Sequence, residues 1–153
     1  MRTFRDNRGR VWQIALNVWE VKRVRAALGV DLANAISVDA KGDVDAGLVD
    51  RIANDPCLLV DILWVLCEDQ AREEGVADVD FGSSLAGDSI EEATTAFLDE
   101  LVDFFPGARR LFLRKAVDLA RKFAAETGAA LKAALESPEF EAKVAESMSS
   151  STR

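Results

Sequence analysis

GRVWQIALNVWEVKRVRAALGVDL, residues Gly9–Leu32, changes hydrophobic rhythm in mid-course. Up to Asn17 the large apolar residues alternate (Trp12, Ile14, Leu16), the period of a strand with one buried face. From Val18 they recur every three or four positions (Val18, Val21, Val24, Leu28), the period of a helix. Asn17 is a good N-cap with Glu20 three residues on, and Gly29 can end the helix in a left-handed cap. Upstream, DNRG (6–9) has the composition of a tight turn, so 3–5 and 10–16 read as two strands of a hairpin. An isolated hairpin is marginal in water and must lie on a helix or on another copy's strands.

Working outward, 31–47 is irregular, a loop with room for one short element, and LVDRIAN (48–54) gives a helical turn or two. Asp55 and Pro56 open a strong helix that runs to Gly75. Leu59, Ile62, Leu63, Leu66 and Cys67 make it apolar around most of its circumference, and therefore central. A short helix anchored by Phe81 and Leu85 follows. Next comes one capped by Asp88, whose apolar face runs through Ile90, Ala93, Phe97, Leu98, Leu101, Phe104 and Phe105. Pro106 and Gly107 break it, and a long helix extends from about Ala108 to Leu135. The expected fold is α+β and predominantly α-helical, an N-terminal β-hairpin packed on a helical bundle with a long C-terminal helix. Residues 1–136 form one domain (hairpin about 3–16, helical body about 18–136). Residues 137–153 are a weak terminal helix and a disordered tail ending in SMSSSTR.

Composition narrows the function. The chain of 153 residues has 49% hydrophobic and 30% charged residues and no histidine, so it lacks the commonest general base and metal ligand. No apolar run has the length of a membrane span, and the N-terminus has no signal-peptide core, which makes the cytoplasm the expected location. The net charge of −8 is unevenly spread: +5 over 1–30, −16 over 31–105 and +3 over 106–153. The plain account is a solvated acidic surface; the sharper one is that basic ends meet the acidic middle, within one molecule or between copies. Nucleic acid is not an expected partner of such a chain.

No motif carries a chemistry. GSSLAGDS (82–89) approaches a phosphate-binding loop, but Asp88 stands where a lysine is needed. The loops at Asp39 and Asp78 lack the glycine and glutamate of a calcium loop. Glu91, Glu92, Asp99, Glu100 and Asp103 read as an exposed helix face, and RRLFLRK (109–115) as the partner of the acidic segment. Cys57 and Cys67, ten positions apart on one helix, cannot be bridged and read as buried, inert thiols. The expectation is a non-enzyme with no catalytic residue, metal or cofactor. Its function would rest on apolar contacts, the candidate protein interface being Trp12, Ile14, Trp19, Phe97, Leu101, Phe104 and Phe105.

The order of TFRDNRGRVWQIALNVWEVKRV (3–24) and DPCLLVDILWVLCEDQAREEGVADVDFGSSLAGDSIEEATTAFLDELVDFFP (55–106) resembles the tail assembly chaperones of long-tailed bacteriophages and their prophages. The likeness covers about two-thirds of the chain, to Pro106; the long helix beyond departs from the shorter members. The resemblance implies a protein that binds the phage tape measure protein and the tail tube protein during virion assembly in the bacterial host cytoplasm. Self-association as a homo-oligomer, through the hairpin edge or through opposite charges, is a further expectation. The alternative is another prophage structural or adaptor protein, such as a head–tail connector component.

Overall fold

The change of rhythm at Asn17 is a helix cap in the computed structural model, which describes residues 1–151. Strand β1 (Arg2–Arg5) pairs antiparallel with β2 (Val11–Ile14), Phe4 opposite Trp12 and Thr3 opposite Gln13. Helix α1 (Val18–Leu28) begins where Asn17 Oδ1 accepts the Glu20 N–H at 3.0 Å. It ends at Gly29, whose φ of 68° lets its N–H reach the Arg25 carbonyl. The Glu20 carboxylate turns to Arg23, at 3.1 Å.

The irregular stretch holds a 3-10 turn (Leu32–Asn34) and a minimal hairpin of β3 (Ser37–Val38) and β4 (Val44–Asp45). Helix α2 (Gly47–Asn54) buries Val49 and Ile52. Asp55 then caps α3 (Pro56–Glu74) by accepting the Cys57 and Leu58 N–H groups. Helices α4 (Asp78–Ser83) and α5 (Asp88–Phe104) follow. Asp88 is not the cap of α5: Gly87 holds that position, and Asp88 is the first helical residue. No side chain caps α5; the Ser89 hydroxyl turns back to the preceding loop, accepting the Ala86 N–H at 3.0 Å and donating to the Ala86 carbonyl. The fold is α+β and predominantly helical, as the sequence indicates, with seven helices and two hairpins among the described residues.

Helix α3 is the axis of the core. It packs against α1, α2, α4, α5 and β2, burying Leu59, Ile62 and Leu63. The hairpin is held between two helices, with β2 on α3 and β1 on α5. Its Phe4, Trp12 and Ile14 point into the core, and Trp12 meets the Phe81 ring edge-on at 4.9 Å.

The turn of this hairpin contains a buried carboxylate. Asp6, 4% exposed, accepts four hydrogen bonds: Arg8 N–H (2.9 Å) and Arg10 N–H (3.0 Å) on Oδ1, Arg10 Nε (2.7 Å) and Trp12 Nε1 (3.0 Å) on Oδ2. Gly9, at φ 80°, makes the return possible. Arg10, oriented by Asp6, donates to Ser84 Oγ at 2.7 Å, while the Asn7 N–H donates to the Ser84 carbonyl at 2.8 Å. The turn is thereby fastened to the segment between α4 and α5. At the far end of the hairpin, buried Glu100 of α5 accepts the Leu16 N–H at 3.1 Å and faces the N-terminal ammonium at 3.4 Å.

The chain divides into two compact units, Met1–Val117 and a second from Asp118 onward, so the first ends inside α6 (Gly107–Leu135), short of the expected position 136. Burial explains the boundary: Leu113 and Val117 are the last buried side chains among the described residues. Helix α7 (Pro138–Ser151) occupies the stretch read as a weak terminal helix and tail; no proline or glycine after Pro138 interrupts it. Thr152 and Arg153 lie outside the described residues.

Burial pushes the Asp6 carboxyl up, but the hydrogen bonds from Trp12 and Arg10 outweigh it and hold its pKa below the ordinary carboxylate value. A carboxylate depressed in the folded state contributes stability above its unfolded pKa and loses it as pH falls through the folded one. Urea unfolding is expected to show wild type weakening on acidification below about pH 4. Asp6→Ala should be less stable at pH 7 by roughly 2–4 kcal/mol and should lose less on acidification.

Candidate interaction surface

Each residue proposed from sequence as interface can now be placed. Trp12, Ile14, Phe97, Leu101 and Phe105 are buried core residues, and Phe104 is half-buried against the same core, edge-on to Phe105 at 5.2 Å. They pack the first unit's core, Phe104 from its margin. Trp19 differs: on the first turn of α1 it is 67% exposed, beside exposed Val18. The sequence shows why it stands apart, since the buried face of α1 is Val21 and Val24, three residues apart, with Trp19 off that line.

The largest run of exposed apolar side chains was not among those residues. It lies on α6. Leu113 and Val117 begin an apolar face that continues at helical spacing through Ala120, Ala124, Leu131 and Leu135, flanked by Leu119 and Phe123. Beyond Val117 none of these is buried: Phe123 is 65% exposed and Leu131 53%. Helix α7 adds exposed Val144 and Met148, and it makes no extended packing along α6. The signal was legible as a helical period, broken only at Thr127 and Gly128. What sequence could not supply was the knowledge that the body ends at Val117.

The acidic residues divide by environment. Glu91 and Glu92 are exposed, as expected, but Glu100 is a correction: it lies on the edge of the apolar stripe, three residues after Phe97, and is buried with partners. The basic segment does meet the acidic one within the molecule, Arg114 pairing with Asp99 at 2.9 Å and Arg2 with Asp103 at 2.6 Å. Among the described residues no group of His, Cys, Asp and Glu side chains is arranged to hold a metal ion. No helix is long and apolar enough to cross a membrane.

The cysteines also separate. Cys67 is buried, and desolvation raises its pKa to about 12, which keeps the sulfur a thiol. Cys57, expected to be buried, is exposed in the first turn of α3, pointing away from the core that Leu59 and Ile62 enter.

The two edges of the main hairpin are closed unequally. Along β2, Gln70 of α3 acts as a short third strand: its Oε1 accepts the Gln13 N–H at 3.0 Å and its Nε2 donates to the Val11 carbonyl at 2.9 Å. Along β1 the Arg5 N–H is capped by Glu92 Oε1 at 3.3 Å. Since Gln13 turns its polar groups away from β1, its opposite number Thr3 turns its own away from β2. The outward N–H and C=O of Thr3 have no protein partner among the described residues.

Comparison with known protein families, curated proteins and solved structures finds no match.

Two measurements check this sorting. Trp12→Ala should lower unfolding stability by about 3–5 kcal/mol, whereas Trp19→Ala should stay within about 0.5 kcal/mol of wild type. Native protein should give one fast-reacting thiol with a chromogenic disulfide, lost in Cys57→Ser, and the second only after denaturation.

Proposed function

We propose that this chain is a tail assembly chaperone of a long-tailed bacteriophage or prophage. In this reading it works without catalysis in the host cytoplasm, holding the tape measure protein and tail tube subunits until the tail is built. The observation that carries the reading is the apolar face of α6 running uncovered past Val117. From Asp118 to Leu135 that helix offers about 27 Å of amphipathic surface, a length matched to helix-in-groove or helix-on-helix recognition. The closed body supports the same reading, because its aromatic residues are spent on a core and its charge keeps an apolar arm in solution.

Such an arm also suits reversible masking. Each exposed leucine or phenylalanine contributes modestly, so affinity is built from several contacts and can be released when tube subunits compete. The alanines at 120, 124, 125, 129, 130, 133 and 134 favour helix without packing, which keeps the arm in shape before a partner arrives.

Co-expression tests the proposal. The tape measure protein of the same phage or prophage should be soluble in the presence of wild type. It should aggregate when Leu119, Phe123 and Leu131 are all changed to serine, while thermal unfolding of the first unit is unchanged. A tape measure protein equally soluble with the triple variant would sink the proposal, and closed rings of fixed copy number would point to a connector.

A further inference from the structure

A second surface stands apart from α6. Between β1 and the first three turns of α5 lies a groove of about 640 Å³, lined by Thr3, Glu91, Glu92, Thr95 and Asp99 and entered past Asp88. Its floor is the β1 edge that Gln70 has no counterpart to close: Thr3 presents an unpaired N–H and C=O there, side by side. An open strand edge is a template for another strand. The wall opposite fixes the charge of what can lie there. The two cationic groups nearest, the N-terminal ammonium and Arg2, are already turned to Glu100 and Asp103, whereas Asp88, Glu91 and Glu92 of α5 carry no cationic partner among the described residues.

From this we infer that the groove binds an extended, basic peptide segment by strand addition at Thr3. The segment hydrogen-bonds through its backbone to the Thr3 N–H and C=O and places basic side chains, at alternate positions, against the carboxylates of α5. A peptide fits where a helix does not, because only an extended backbone presents donor and acceptor together on one edge. Anionic ligands are repelled by the same wall. The inference is independent of the α6 reading, and either can fail without the other.

The test uses the full chain and three acetylated, amidated octapeptides: alternating Lys-Thr, alternating Lys-Pro and alternating Glu-Thr. Calorimetry at low salt should show Lys-Thr binding, weakening as salt rises. Lys-Pro, with the same charge but with every second backbone N–H missing and its φ angles fixed away from an extended strand, should bind at least about tenfold more weakly, and Glu-Thr not at all. Hydrogen exchange should show the Thr3 amide becoming protected when Lys-Thr is added, with the Phe4 amide unchanged. Thr3→Pro removes only the outward donor, since Thr3 makes no ladder bond to β2, and should weaken Lys-Thr about tenfold with an unchanged melting profile. If that variant does not fold, Asp88→Asn with Glu91→Gln provides a second arm, expected to lower affinity and flatten its salt dependence. Equal binding of Lys-Thr and Lys-Pro, a Thr3 amide whose exchange does not slow, or no binding of any peptide each overturns the inference.

Discussion

The first unit is tied together at Asp6. A buried carboxylate is costly unless every lone pair is used, and here four donors use them: two turn amides, the Arg10 guanidinium and the Trp12 indole. Because those donors come from the turn, from a surface side chain and from the core, one group fixes three things. It closes the hairpin, it aims Arg10 at Ser84, and it satisfies the polar tip of the deepest aromatic residue. The register Phe4–Trp12 that follows puts both rings on the core side, and a slip by one residue would turn both out to water. Glu100 does a related job at the open end of the hairpin, so α5 and the α4–α5 turn grip it at both ends.

From that fixed hairpin the rest follows as a question of what is left uncovered. Gln70 completes one sheet edge with a side chain, and Glu92 caps one amide of the other. The body's large aromatic residues are nearly all enclosed, Trp19 and Phe112 excepted. Beyond Val117 the logic reverses: the helical period continues but nothing covers it. Helical stability there comes from alanine-rich propensity and not from burial, the opposite of α3, whose helix is held by its packing.

Much of this architecture can be read from local chemistry. Asn17, Gly29, Asp55, Pro56 and Gly75 mark helix ends because capping depends on a few neighbouring atoms, and each marks the end it was expected to mark. Asp88 misled because an acid suits both the cap and the first turn of a helix, and Gly87 takes the cap position without any side-chain bond while Asp88 is already helical. Core and candidate interface could not be told apart in the sequence for a different reason. Trp12, Phe97 and Leu101 have the pattern of apolar residues on an amphipathic face, and that pattern is identical for a core and for a docking surface until the facing element is known. Gln70 and Glu100 are legible only in three dimensions, since each serves a strand more than fifty residues away. The α6 face was visible as a period; its lack of cover was not.

Helix α6 divides at Val117 into a part held by tertiary packing and a part held by helix propensity alone. Native-state hydrogen exchange along α6, read residue by residue in dilute protein, tests that division most directly. Amides from Leu113 to Val117 should exchange only through global unfolding, and those from Ala120 to Leu135 should exchange orders of magnitude faster, slowing when a tape measure segment is added. Uniform protection along the whole helix in the isolated monomer would contradict the division, and with it the claim that this face is kept open for another chain.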